Sequence, residues 1–179
     1  MWELKNPKPV KLIVGILAAD SSCLKVAIEA IEKELGEVDL VSDIWPFDKT
    51  DYYKEQTGLS ILRQFVSLNE LIDPGRLSEI KLKTNRVEEK LAETLTQLLP
   101  RPVNFDPGII EPSKLILATT KNYSHRIYIG NRIYAEVTLI FHKGTWQPME
   151  YTYPDYRQEC YFAFFDKVRA KLIKQLGEL

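Results

Sequence analysis

The 179-residue chain is 45% hydrophobic and 27% charged, with 24 basic against 25 acidic residues and a formal net charge of −1. Such a composition suits one soluble globular domain with its own core. It excludes a disordered chain and needs no metal or disulfide to hold a fold together. Near-neutral charge argues against a protein that coats nucleic acid, because such domains are strongly basic.

No stretch approaches ~18 apolar residues, so no membrane span is expected, and the first 20 residues lack the pattern of a signal peptide. Cys23 and Cys160 fall in predicted helices and read as small apolar residues in a reducing compartment. A cytoplasmic protein of one domain over residues 1–179 is the expectation.

Lys11–Ala19 (KLIVGILAA) is short, apolar throughout and rich in branched residues, as in a strand covered on both faces. Asp20, Ser21 or Ser22 can cap the helix that follows. Leu24, Ala27, Ile28, Ile31 and Leu35 give that helix its apolar stripe, and Gly36 stops it. Val38, Leu40 and Ile44 suggest a second strand, completing an N-terminal β-α-β unit. Trp45–Gly58 reads as an irregular connection packed onto the body, and Ile61–Leu68 as a strand.

Asp73-Pro74 is a helix start. From there Leu77, Ile80, Thr84, Val87, Leu91, Leu95 and Leu98 form one stripe. Pro100 and Pro102 bar its continuation. Asp106-Pro107-Gly108 has turn chemistry. Ser113–Thr120, His125–Ile129 and Arg132–Phe141 read as strands, with Gly130-Asn131 as a two-residue hairpin loop. Asp155 can cap a C-terminal helix that buries Tyr161, Phe164, Phe165, Val168, Leu172 and Leu176. The expected fold is α+β: a single domain with a mainly antiparallel sheet and about three helices packed on it, largely on one face.

A two-residue loop at Gly130-Asn131 sets the register: Ile129 faces Arg132, Ile127 faces Tyr134 and His125 faces Glu136. Ile133, Ala135, Val137, Leu139 and Phe141 then share one apolar face. A carboxylate opposite an imidazole can form an acid/base element, with His125 and Glu136 in the catalytic roles; it can equally be an ordinary cross-strand polar pair. Thr119–Arg126 gathers hydroxyls, Lys121, His125 and Arg126 around one turn, an inventory of donors suited to phosphate or carboxylate. Arg126 falls by parity on the apolar face, where it must find a carboxylate or lie at the sheet's rim, and Asp106 and Asp155 are the candidate partners. Lys81 and Asn85 lie one turn apart on the flank of the long helix and can lean over the sheet. Arg157 stands at the entrance of the last helix, where anions are attracted.

The chain has no P-loop, no G-x-G-x-x-G fingerprint, no zinc-ligand spacing, no nucleophile elbow and no aromatic RNA-binding signature. These absences leave any cofactor unknown.

VNFDPG, KLILATTKNYSHRIYI, IYAEVTL and YTYPDYR, with DYYKEQTG and IKLKTN upstream, resemble in order the uncharacterised prokaryotic proteins grouped as domain of unknown function 4416. The resemblance spans nearly the whole chain and brings no established activity with it. Members are sometimes labelled GTP-binding, but this chain has neither a Walker loop nor an N-K-x-D base-reading motif.

Two readings follow. In the first, Lys121, His125 and Arg126 hold a small anionic, phosphate- or carboxylate-bearing and nucleotide-like ligand, Glu136 orients His125, and Lys81 or Arg157 closes the site. In the second, the aromatic segments Trp45–Tyr53 and Trp146–Tyr156 dock another protein or a second copy of the chain. Convergence of the polar residues on one hollow favours the first reading. Dispersal of those residues, with an exposed aromatic patch, favours the second.

Overall fold

The computed structural model describes residues 3–47, 57, 61–95 and 99–179. Most of the expected Trp45–Gly58 connection and the Leu98 end of the long stripe lie outside them. The described residues form nine strands in one sheet: β1 (Val10–Ala18), β2 (Val38–Val41), β3 (Trp45–Pro46), β4 (Leu62–Ile72), β5 (Val103–Glu111), β6 (Lys114–Thr119), β7 (Ile127–Tyr128), β8 (Tyr134–His142) and β9 (Thr145–Pro148). Three helices accompany them: α1 (Ser21–Leu35), α2 (Leu77–Thr94) and α3 (Glu159–Gly177). The order across the sheet is β2-β4-β1-β5-β6-β8-β7, with β3 beside β4 and β9 beside β8. No helix is long and apolar enough to cross a membrane among the described residues.

Every strand pairing is antiparallel. The β1-α1-β2 unit is present, and β4 is inserted between its two strands. Because β1 and β2 both run opposite to β4, they are parallel to each other. β1 is central and buried along its whole length, which explains its unbroken apolar run. The Asp20 carboxylate caps α1, accepting from the Cys23 N–H at 2.8 Å, and Asp73 caps the short turn that leads through Pro74 into α2.

Helices cover both faces of the sheet, not one. Leu24, Ala27 and Ile31 of α1 and Leu77, Ile80 and Val87 of α2 pack on Leu12, Val14, Ile16 and Phe105. Tyr161, Phe164, Phe165 and Leu172 of α3 pack on Ile13, Phe65, Ile110 and Leu115 on the opposite side. A strand that is apolar on both faces demands this arrangement, since helices on one side alone would leave Ile13 and Phe65 in water.

Asp106-Pro107-Gly108 is not a turn; β5 runs straight through it, with Pro107 opposite Val14 and Gly108 opposite Leu117. The glycine answers to crowding, not to a left-handed backbone. A Cβ there would stand 2.5 Å from the Ile116 carbonyl oxygen and 2.6 Å from Leu117 Cδ2. Gly108→Ala is therefore expected to destabilise the protein by about 1–3 kcal/mol. Urea unfolding should show the midpoint falling at constant slope; an unmoved midpoint would mean that β6 yields freely.

The β7–β8 connection covers residues 129–133, and the tip enclosed by its Ile129–Ile133 pair has three residues, not two. Gly130, Asn131 and Arg132 all have positive φ, at 94°, 54° and 61°, and Ile129 faces Ile133 through its N–H at 2.9 Å. The register shifts by one, to Tyr128 opposite Tyr134 and Ile127 opposite Ala135. His125 lies before the strand, in a turn closed by the Arg126 N–H to the Tyr123 carbonyl at 3.0 Å. The expected single apolar face of β8 is also split. A bulge leaves Thr138 as the extra residue between Val137, opposite Ile116, and Leu139, opposite Leu115, so Ile133 joins the core under α1 and α2 while Leu139 joins the core under α3.

Candidate functional site

Between Gly108 and Glu111, β5 pairs with β6, but from Val103 to Pro107 it pairs with β1 alone. The ladder ends at the one residue with no N–H to extend it. The two strands part there, and α2 leans over the opening. Phe105 would otherwise have a bare backbone edge. Its N–H donates to Glu88 Oε1 at 2.7 Å, and its carbonyl accepts from Lys81 Nζ at 2.7 Å. Two side chains of one helix thus replace the missing strand.

A cavity of about 140 Å³ occupies the fork, on the order of ten times what one water needs. Its floor is Arg63, delivered by β4 and 2% exposed. One guanidinium nitrogen donates to Asp106 Oδ2 at 3.1 Å and another to Asp155 Oδ2 at 2.7 Å. Asn104 Nδ2 donates to the other Asp106 oxygen at 3.0 Å. The guanidinium also lies 5.3–5.5 Å from the ring centres of Phe47, Phe65 and Tyr156. Gly15 leaves room for this packing, since a Cβ there would stand 2.9 Å from both Arg63 and the Tyr156 hydroxyl. That hydroxyl and Arg63 Nε are buried without a hydrogen-bond partner among the described residues.

The two carboxylates that share this guanidinium are both favoured as anions by it, yet their acidities move in opposite directions. Burial pushes Asp106 up, but Arg63, Lys81 and Asn104 outweigh it and hold the carboxyl below its ordinary value. Burial raises the Asp155 carboxyl despite Arg63, and the Asp106 charge adds to the rise. Burial likewise lowers the Lys81 ammonium against the pull of Asp106 and Glu88.

Around the rim stand Arg101, Thr119, Thr120, Lys121, Arg126 and Glu136. Arg101 is paired with Glu88. Glu136 is 6% exposed, and its Oε2 accepts from Arg126 Nε at 2.7 Å and lies 3.1 Å from His125 Nε2. An ionised carboxylate only accepts, so the proton of that second bond belongs to the imidazole. Arg126 also donates to the Lys121 carbonyl at 3.1 Å. The imidazole stacks on Tyr151 at 4.0 Å with the planes 8° apart, tying the turn to the segment that precedes α3.

The segments VNFDPG, KLILATTKNYSHRIYI, IYAEVTL and YTYPDYR build most of this fork and its rim around Arg63, and a family match covers them all, over residues 8–172. The chain belongs to the family described as domain of unknown function (DUF4416). No curated protein and no solved structure matches it.

In this DUF4416 chain the residues singled out in the sequence divide cleanly. Lys81, Asp106, Lys121, Arg126, Glu136 and Asp155 line one cavity. Asn85 lines a groove beside it. His125 touches the site through Glu136 and is not among the lining residues. Arg157 is turned away, its guanidinium donating to the carbonyls of Thr152, Met149 and Glu150 at 2.8, 3.2 and 2.7 Å. Arg126 takes Glu136 as its carboxylate, where the sequence pointed to Asp106 or Asp155; the longer loop moves it off the expected face. Asp155 does not cap α3, whose N-cap is Gln158 and makes no side-chain capping hydrogen bond; the Asp155 carboxylate is taken by Arg63.

Sequence reasoning missed Arg63, Arg101 and Asn104. Arg63 was open to discovery, because a guanidinium in the apolar run LRQFVSL implies buried carboxylates. Arg101 follows the α2 stripe with nothing local to mark it.

Proposed function

We propose that the DUF4416 cavity binds a small anionic molecule bearing a phosphate or carboxylate group. What supports this is convergence: Arg63, Lys81, Arg101, Lys121 and Arg126 reach one hollow from different parts of the chain, against three lining carboxylates, Asp106, Glu136 and Asp155. Such a surplus of cationic donors in a concave site suits an anion. Glu136 serves as the positioning residue, holding Arg126 at the rim, with His125 and Tyr151 bracing it from behind. Of the lining carboxylates, Glu136 alone touches an imidazole among the described residues, and a proton-transfer step here would draw on the His125 Nε2–H that it accepts.

Three of the aromatic rings invoked for docking, Trp45, Trp146 and Tyr156, weigh toward the same reading. Trp45 packs on Tyr161 at 4.8 Å between ring centres, and Trp146 and Tyr156 are buried, while Tyr153 is exposed and Tyr52 and Tyr53 lie outside the described residues. The free thiols of Cys23 and Cys160 fit a cytoplasmic setting.

Thermal shift against inorganic phosphate, sugar phosphates and carboxylates tests the proposal. A ligand at 100 times its Kd should add about 2.7 kcal/mol of stability. That gain should vanish in Lys121→Ala, whose unliganded melting temperature stays within a few degrees, and in Arg126→Ala, which melts lower because Glu136 loses its buried partner. Absence of any stabilising anion would end this reading.

A further inference from the structure

The cavity does not stop at its rim. A shallow groove of about 440 Å³ runs from it over the outer flank of α2, and Lys81, Arg101 and Thr120 line both depressions. The two halves differ in character. The inner half carries the cationic surplus. The groove is balanced, with Lys81 and Arg101 against Glu88 and Glu89, and is otherwise lined by Asn85, Ala92, Pro100 and Thr120. No aromatic ring is among those groove residues, so a planar base would find no stacking platform there. Asn85 offers both donors and an acceptor, Glu89 offers acceptors and Thr120 a hydroxyl, which together match alcohol groups.

We propose that the ligand is an anionic sugar, its phosphate or carboxylate in the fork and its hydroxyls along α2, with Asn85 as the residue that reads them. This rests on the anion-binding role of the cavity and adds to it the chemical class of the remainder. Asn85 is one turn from Lys81 on the same flank of α2, so a ligand anchored beside Lys81 reaches it without any movement of the backbone.

Isothermal titration of the full chain with inorganic phosphate, acetate, glucose 6-phosphate, ribose 5-phosphate and glucuronate tests this. At least one sugar anion should bind about tenfold more tightly than the bare anion of its own type, the gain of one or two good hydrogen bonds. The phosphate and uronate arms tell which charged group the fork prefers. Asn85→Ala should remove that gain and leave the affinity for the bare anion unchanged. Alanine suits a helix better than asparagine, so the variant should fold. If bare and sugar-bearing anions bind alike and Asn85→Ala alters neither, the sugar assignment fails while the anion site stands. If no probe binds, both fall.

Discussion

Arg63→Met should destabilise the protein by about 3–5 kcal/mol at neutral pH, the cost of stranding a buried charge whose partner is removed. The side chain lies between Asp106 and Asp155 and under Phe47, Phe65 and Tyr156. Methionine keeps most of the packing volume, so the loss reports the charge. The pH dependence gives a sharper test. Asp106 is held below its ordinary value of 3.8, so its contribution is complete above that pH and is lost as acid takes the solution through the folded value. Asp155, raised in the fold, works in the opposite sense and is relieved by protonation. Without Arg63 both carboxyls prefer to be neutral. The gap between variant and wild type should therefore narrow between pH 7 and pH 4. Urea titrations at the two pH values measure it. A gap below about 1 kcal/mol at pH 7, or one that widens in acid, would show that Arg63 is not the keystone of the floor.

Much of the fold was legible because burial leaves a period in the sequence. The continuous run in β1, the capped starts at Asp20 and Asp73, and the aromatic stripe of α3 each follow from a local rule and stand in the structure. The failures share a cause: distant strands decide them. Pro107 and Gly108 have the composition of a turn, and only the presence of β1 on one side and the crowding of β6 on the other turn them into strand. The β7–β8 loop was one residue longer than its dipeptide suggested, which moved every pairing by one. The His125–Glu136 contact survives that slip because the imidazole approaches from a turn and not from the ladder. The rim of the site was visible as a cluster of donors in one short stretch. Of its floor only Asp106 and Asp155 were named, without Arg63 between them, since the three are far apart in the chain and meet only when β4, β5 and the segment before α3 are assembled.

A second buried charge centre, at the opposite end of β1, should respond to pH from the other side. Lys11 has no exposed surface; its Nζ donates to Asp39 Oδ2 at 2.5 Å, to Gln175 Oε1 at 2.9 Å and to the Asn69 carbonyl at 3.2 Å. Lys171 reaches the same Asp39 oxygen at 2.8 Å, and Ser67 donates to the other at 2.5 Å. One carboxylate thus joins β1, β2, β4 and α3. Asp39→Asn keeps the shape and removes the charge, leaving the Lys11 ammonium buried beside Lys171. The expected cost is about 3–5 kcal/mol at pH 7. Burial already lowers the Lys11 pKa from 10.5, with Asp39 resisting; in the variant that resistance is gone and the folded value drops further. Between that folded value and 10.5 the unfolded chain binds more protons than the native one, so stability climbs with pH. It climbs more steeply in Asp39→Asn than in the wild type, and the deficit measured by urea unfolding at pH 9.5 should be clearly smaller than at pH 7. Because this centre is remote from the fork, any anion bound by the wild type should bind the folded variant with unchanged affinity. A deficit that stays constant across that range would mean that Gln175 and the Asn69 carbonyl suffice to hold the ammonium without a counter-charge.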